Sequence, residues 1–377
     1  MDKPHGKKIS FAGPWITQKE LDYVNDAAKN GWYGTYDKHV KLLEKTVCDY
    51  LPRKHSLATH CCTNALHTSC AALGLKGGDE VICTDFSWVA TAYAIVYTGA
   101  KPVFVDIEAD SWCIDPAAIE KAITPETKAI MMVHTFGHPA QMDEIMEFAR
   151  KHNLAIIEDA APSLGSKFKG RRTGTFGDIS CFSFQGGKIA VASEGGILAT
   201  DNEELFKKAE LFASMGRTDS KATFWSDFVG FQYTMGNLPA AMALGQVERI
   251  DELVANKRNI FSWYEKRLSD VEGIFLVKEK KDCFSNYTYP SILLKDSVKA
   301  DRDGVVKALK EKNIHCRPAF PKMSLFPAHE ARYPNPVCTN VSARGISLPA
   351  AHNLTEEDVE FVCDSLFGVA GLKKGRA

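Results

Sequence analysis

Between Ser56 and about residue 200, short apolar runs alternate with segments of helical periodicity, and this alternation restricts the fold more than any other feature of the chain. Extended stretches are expected at Ser56–Thr59, Glu80–Thr84, Pro102–Asp106, Ala129–Thr135 and Ala155–Glu158, with helices at Asn64–Leu75, Trp88–Thr98 and Met142–His152. A strand followed by a helix and another strand builds a parallel pair, and the helices cover the faces of the resulting sheet. The expected class is therefore α/β: a three-layer αβα large domain around a mostly parallel central sheet, joined to a smaller C-terminal α+β domain. Such sheets bind ligands outside the carboxyl ends of their strands. Polar residues just after these apolar runs are thus the candidates for a site.

The flanks extend the pattern. Thr17 and Glu20 form a capping box, with Ile16 and Leu21 placed as a hydrophobic staple, so a helix starts here and ends near Asn30-Gly31. Val40, Leu43, Val47 and Leu51 mark a second. Beyond Thr200 the texture is helical: Glu203–Met215, a segment capped by Asn237-Leu238-Pro239 and running to Ile250, then Asp251–Leu268. A strand at Ser291–Leu294, a helix from about Asp301 to Lys312 and another capped by Thr355 with Asp358 make up the rest. For 377 residues the size prior is roughly two domains, divided as a large ligand-binding domain at 1–250 and a small domain at 251–377.

Chemistry concentrates in four places. In GDISCFSFQGGKIAVASEGGILAT (177–200), an apolar run breaks at Gly186-Gly187 and presents Lys188 on a turn before a second run, with Ser183 and Gln185 just ahead of it. Glycines there let a ligand approach the main chain. His60-Cys61-Cys62-Thr63-Asn64 lies between a strand and a helix, where free N–H groups can bind phosphate. Trp88 follows the second strand and can stack on a flat ring. Glu158-Asp159 ends another strand, and an acid there can pair with a protonated ring nitrogen. Taken singly, each has a plainer reading: hairpin lysine, helix cap, core tryptophan, capping aspartate. Phosphate cradle, ring platform, ring-nitrogen acid and an amine able to condense with an aldehyde are jointly the requirements of pyridoxal 5′-phosphate. His134 ends a strand and is expected to be a structural histidine.

Charge and cysteine usage exclude other classes. Lys+Arg (46) and Asp+Glu (47) nearly cancel, so neither nucleic acid nor an anionic membrane is an expected partner. The opening MDKPHGKKIS lacks an apolar stretch of the kind that follows the charges of a signal peptide. Eleven cysteines, none spaced as CxxC, read as reduced core thiols in a cytoplasmic protein, and no metal site is expected.

The segments TDFSWVATAYAIVYTGAKPVFVDI, VHTFGHPAQMDEI, IIEDAAPSLGSKFKGRRTGTFGDISCFSF and SEGG, between the flanks ITQKELDYV and ISLPAAHNLTEEDV, resemble the DegT-type sugar aminotransferases. These are PLP-dependent enzymes of fold type I in the aspartate aminotransferase superfamily. The resemblance implies that Lys188 forms the Schiff base, Asp159 partners the pyridine nitrogen and Trp88 stacks on the ring. Thr63, Asn64 and Ser183 would contact the phosphate, with Cys62 and Gln185 in the same turns. It also implies a homodimer in which a partner-chain residue completes the phosphate site. Four positions depart from the family pattern: Cys62 replaces a glycine, Pro162 a glutamine that meets the ring hydroxyl, Gln232 the partner-chain asparagine, and Ser193 the first glycine of GEGG. Arg317 and His352 match segments bordering the substrate pocket. The implied reaction moves an amino group from glutamate or glutamine to a keto sugar, most often nucleotide-linked. A cyclitol ketone or a small phosphorylated ketone is an alternative acceptor. A related sugar dehydratase would have histidine in place of Lys188, and a non-catalytic PLP-binding regulator would need a DNA- or partner-binding appendage.

Overall fold

The computed structural model describes residues 7–218 and 220–373; the charged opening 1–6 lies outside the described residues. Nine strands belong to the first part of the chain: β1 (His55–Thr59), β2 (Glu80–Thr84), β3 (Lys101–Val105), β4 (Thr127–Val133), β5 (Ala155–Asp159), β6 (Lys167–Phe168), β7 (Arg171–Arg172), β8 (Ile179–Ser183) and β9 (Gly196–Thr200). Seven of them form the central sheet in the order β1-β9-β8-β5-β4-β2-β3. All its neighbours are parallel except β9, which runs antiparallel to both β1 and β8. The chain turns back directly from β8 into β9, so the loop bearing Lys188 is a hairpin connection at the carboxyl end of β8.

Side-chain alternation along the strands explains why helices cover both faces. Leu57, Val81, Cys83, Met131, Ile157 and Cys181 point to one face, against α3 (Cys62–Ala72), α4 (Ala90–Val96) and α7 (Glu203–Ala213). Their strand neighbours Ala58, Ile82, Ile130, Met132, Ile156 and Phe182 point to the other. That face is covered by α2 (Lys38–Tyr50), α5 (Pro116–Ala122), α6 (Met142–His152) and α8 (Asn237–Val247), with α1 (Gln18–Asn30) laid across α8. The α/β class and its three αβα layers are present as expected.

The smaller unit is an antiparallel sheet, β10-β12-β14-β13, where β10 is Ile274–Leu276, β12 Ser291–Leu294, β13 Arg317–Pro318 and β14 Gly345–Ser347. The short β11 (Cys283–Phe284) instead pairs with β6 of the large domain. Helix α9 (Ile250–Leu268) bridges the two units. Its first turns place Leu253 and Val254 with α2 and α8, and its later turns place Ile260, Phe261, Tyr264 and Leu268 in the smaller core. That core is completed by α10 (Arg302–Glu311) and α12 (Glu356–Ala370), while α11 (Pro336–Arg344) packs beside β12 and β14. Ile9 is fully buried in this core as well and pairs with Ile314.

Both capping boxes read from the sequence are formed, Thr17 with Glu20 and Thr355 with Asp358. Asn237 differs from expectation. Gly236 is the cap of α8, and the Asn237 side chain instead accepts the backbone N–H of His39 at 2.8 Å, tying α8 to α2. No described helix is long and apolar enough to cross a membrane.

Lys257 on α9 is fully buried, and its Nζ donates to the Ala350 carbonyl. Burial pushes its pKa down from 10.5 to about 7. The unfolded lysine binds a proton more readily between those values, so this residue makes stability rise as pH increases from about 7 to 10.5 and costs stability as pH falls back through that window. The expected slope is about 1.4 kcal/mol per pH unit within the window. Urea unfolding of the wild type and Lys257→Met from pH 7 to 10 should show the wild type gain stability relative to the variant as pH rises; a difference independent of pH would mean that Lys257 is not titrating there.

Candidate active site

A cleft of about 470 Å³ opens at the carboxyl ends of β4, β5 and β8 and is walled on one side by the smaller domain. Of the residues expected from the sequence, Cys62, Thr63, Trp88, Asp159, Pro162, Ser183, Gln185, Lys188 and Arg317 all line it. Asn64, Gln232 and His352 do not.

Strand alternation separates the two acids that end β5. Glu158 points away from the cleft and is fully buried, accepting from the backbone N–H groups of Gly174 (2.7 Å), Phe176 (2.7 Å) and Gly177 (2.6 Å). His134 lies 3.0 Å from it and takes the N–H of Ala140 on its other nitrogen, so its Nε2–H donates to the carboxylate. Burial alone would raise the Glu158 pKa, but the His134 hydrogen bond and the backbone donors hold it below the usual carboxylate value. Asp159 faces the cleft. It accepts from Thr91 Oγ1 at 2.8 Å and from the Ala161 N–H at 3.2 Å. Burial raises its pKa, and Thr91 and Lys188 offset only part of that rise. A buried acid so short of positive charge is suited to receive a cationic N–H.

The helix α3 begins at Cys62, two residues earlier than expected, so Cys62 and Thr63 belong to its first turn rather than to a loop before it. Cys61, Cys62 and Thr63 at that helix start line the cleft, and the first N–H groups of a helix have no partner within it, which suits an anionic phosphate. Gly196 on β9 makes the approach possible. A Cβ there would stand 2.4 Å from the carbonyl carbon of Cys61 and 2.5 Å from the nitrogen of Cys62. Asn64 turns aside and accepts from the Cys61 thiol. Ser183 Oγ accepts the N–H of Gln185, and Gln185 Oε1 accepts the N–H of Gly187 at 2.8 Å, closing the turn that presents half-buried Lys188. Ser193, at the position of the expected glycine, has φ of 69°, in the left-handed region that glycine adopts freely.

Trp88 is 64 % exposed at the mouth, and its ring centre lies 6.4 Å from that of Phe320. Phe11, Phe136 and Tyr289 continue this aromatic wall. Arg317 lies over the Phe11 ring, 4.4 Å from its centre, with no carboxylate partner among the described residues. Pro162 gives the cleft only its ring, while its carbonyl accepts from Asn286 Nδ2 (3.0 Å) and Thr288 Oγ1 (2.8 Å). Gln232 is exposed, with Nε2 donating to Thr234 Oγ1 at 3.1 Å, on a segment paired with the end of β1. His352 is buried behind the lysine loop, and burial pushes its pKa down to about 3.

Sequence reading passed over Thr91, the aromatic wall beyond Trp88, and Tyr289. Thr91 carries the one available signal, since it sits three residues after Trp88 at the start of a helix that follows a strand. The aromatic wall carries none, because Phe11, Phe136, Tyr289 and Phe320 are brought together from four distant segments.

A family profile described as the DegT/DnrJ/EryC1/StrS aminotransferase family matches residues 14–367. The chain is 36% identical over 361 residues to GDP-perosamine synthase of Escherichia coli O157:H7, covering 96% of this chain and 98% of that one. It is 33% identical over 388 residues to the putative pyridoxal phosphate-dependent aminotransferase EpsN of Bacillus subtilis (strain 168), covering 98% and 99%. Among solved structures, the aminotransferase TlmJ from Streptoalloteichus hindustanus superposes with a TM-score of 0.90 at 27% identity, covering 96% of this chain and 99% of that one.

Thr91 has one hydroxyl hydrogen and gives it to Asp159, so Ser87, 2.9 Å away, must donate to Thr91. Thr91→Val removes the donor without changing volume and leaves a buried carboxylate oxygen unsatisfied. The expected loss is about 1–3 kcal/mol at pH 7. Urea unfolding of Thr91→Val against Thr91→Ser, which keeps the hydroxyl, measures it; equal stability of the two would remove Thr91 from the site.

Proposed function

The chain belongs to the DegT/DnrJ/EryC1/StrS aminotransferase family, and from that premise we propose that it transfers the amino group of glutamate or glutamine to a nucleotide-linked keto sugar. It is a PLP-dependent amino-sugar aminotransferase of fold type I. The observation that carries the reading of its site is the convergence of Lys188, Asp159 and the first turn of α3 on one cleft. The residues present fit the cofactor: a helix N-terminus for the phosphate, an exposed indole beside the ring, and a buried acid lacking a full counter-charge.

When bound, pyridoxal phosphate supplies an aldehyde that holds the amino group and a ring that stabilises negative charge on the adjoining carbon. Cys62, Thr63 and Ser183 would hold its phosphate end, and Trp88 would offer its indole to one ring face. Asp159 would accept from a protonated pyridine nitrogen, the positive partner that burial otherwise denies its ionised form. Lys188 would supply the amine that condenses with the aldehyde. Its Nζ would also be the group placed to take the proton from the donor Cα and to return it when the ketone is aminated. The aromatic wall excludes water and offers flat faces to a sugar ring.

Two features support an anionic, nucleotide-linked acceptor. The E. coli relative is named for a GDP-linked product, and Arg317 stands exposed at the cleft mouth with a planar fork suited to phosphate. The eleven cysteines are free thiols, in keeping with a cytoplasmic protein. We read residues 1–250 and 251–377 as its two domains, with the segment at Ile9 seated in the core of the second.

The working form in this reading is a homodimer. Tyr33 is 96 % and Val229 86 % exposed, apolar surface that a second copy would cover. Exposed Gln232 would reach the phosphate of the neighbouring subunit.

Lys188→Ala should abolish turnover with glutamate while leaving the melting temperature nearly unchanged, because the residue sits on a glycine-bearing turn outside the core. Borohydride reduction of the wild-type holoenzyme should fix the cofactor to the peptide containing Lys188; fixation at another lysine would defeat the assignment. Gln232→Ala should release PLP more readily as the protein is diluted, since binding and association strengthen each other when a site is shared. Dialysis at two protein concentrations tests this, and a wild type that retains PLP as a strict monomer would defeat the shared site.

A further inference from the structure

The carbonyls of the two residues on either side of Lys188, Gly187 and Ile189, are each held by a side chain from the smaller domain. Tyr289 Oη donates to the Gly187 carbonyl at 2.7 Å, and His352 Nε2 lies 3.3 Å from the Ile189 carbonyl. Tyr289 immediately precedes the strand region of β12, and His352 follows β14. A neutral imidazole has a single N–H, and the Ile189 carbonyl can only accept, so the proton is on Nε2. Nδ1 lies 2.9 Å from Asn256 Oδ1, so with the proton on Nε2 the Asn256 amide is turned over to present its NH₂ to the ring, an exchange of O and N that leaves its shape unchanged. Burial keeps the ring neutral.

The base from which these donors reach is itself fixed. Lys257 Nζ donates to the Ala350 carbonyl, Tyr264 Oη donates to the Pro349 carbonyl at 2.9 Å, and the Ala350 N–H donates to Phe11 at 2.8 Å. Tyr289 stacks on Phe11, ring centres 5.0 Å apart. By contrast, the segment they hold contains Gly186 and Gly187, which lose the most conformational freedom on being ordered. Neither donor touches the amine of Lys188; Tyr289 acts on the peptide group joining Gly187 to Lys188, and His352 on the one joining Ile189 to Ala190.

We propose that Tyr289 and His352 are positioning residues that clamp the lysine-bearing turn to the smaller domain and so set how readily Lys188 reaches the cofactor aldehyde. This rests on the reading of Lys188 as the Schiff-base lysine. It replaces the expected role of His352 at the substrate pocket: the residue is buried behind the turn, where a substrate contact is closed to it. Two glycines before the lysine would otherwise let the amine wander. Holding both neighbouring carbonyls raises its effective concentration at the aldehyde carbon.

The test uses the holoenzyme and methylamine, which competes with Lys188 for the aldehyde carbon by exchanging one C–N bond for another without oxidation or reduction. After equilibration, borohydride reduction and mass spectrometry give the fraction of cofactor fixed to the Lys188 peptide. Loss of one clamp hydrogen bond should lower the methylamine concentration that displaces half of the lysine by about tenfold in Tyr289→Phe and in His352→Ala. His352→Gln, whose amide N–H can stand where Nε2–H stands, should return close to the wild-type concentration. Melting temperatures within a few degrees of one another would separate positioning from general damage, and Tyr289→Phe, which removes one oxygen, decides the matter if His352→Ala fails to fold. Unchanged displacement in Tyr289→Phe and His352→Ala, or a His352→Gln variant as weak as the alanine, would overturn the clamp. A wild type whose cofactor is not fixed to Lys188 would overturn the reading of the lysine as well.

Discussion

The buried carboxylate of Glu158 holds together more of this molecule than any other single group. A charge that deep is tolerable only when saturated with donors, and it has three backbone N–H groups from residues 174–177, the imidazole of His134 and, at 3.8 Å, the guanidinium of Arg53. Arg53 in turn donates to the carbonyls of Gly174 (3.0 Å) and Gly177 (2.7 Å) and pairs with Asp201 at 2.8 Å. One acid therefore fixes the end of β4, the turn entering β8 and the approach to β1. Because successive strand residues face opposite ways, anchoring Glu158 on one side of the sheet obliges Asp159 to face the cleft on the other.

A similar economy joins the domains. Asn286 donates to the carbonyls of Pro162 and Leu164, which follow β5, and its Oδ1 lies where a Cβ of Gly137 would come within 1.9 Å. Gly137 has φ of 97°, so both conformation and space reserve that position for glycine. The loops after β4 and β5 are thus pinned by one side chain of the smaller domain. Asp85, fully buried at the end of β2, does the same in reverse: it accepts from Ser324 N (2.7 Å), Ser324 Oγ (2.8 Å) and Asn335 Nδ2 (2.8 Å). Those contacts seat the segment that follows Phe320 beside the turn that carries Trp88. The cleft is therefore a product of domain docking, and the lysine turn is held by the same docking through Tyr289 and His352.

What could be read in the linear chain follows from how local each signal is. Hydrophobic period and capping boxes involve residues within one or two turns of one another, so the helices from Thr17 and Thr355 and the central strands stood out. Strand and helix ends were less legible. The helix expected at Asn64 starts at Cys62, and the one expected at Trp88 starts at Ala90, because termini depend on which backbone groups find partners after packing. Asn237 looked like a cap, yet its side chain serves the N–H of His39, a choice that exists only once α2 lies beside α8. The site was legible where it sits directly after a strand, as with Asp159, Ser183 and Lys188, and illegible where distant segments converge, as with Phe11, Phe136, Tyr289 and Phe320.

By itself, then, the sequence determined the α/β alternation, the carboxyl-end location of the candidate site residues and the presence of one lysine on a glycine-bearing turn between two strands. These follow from periodicity and from the backbone freedom of glycine, which act over a few residues. Tertiary structure alone decided that Glu158 is a structural anchor while Asp159 faces the cleft, that Gly196 yields its side-chain space to the first turn of α3, and that His352 lies behind Lys188 instead of in front of it. Each depends on a partner more than fifteen residues away in the chain, and no local pattern encodes which of several possible partners packing will supply.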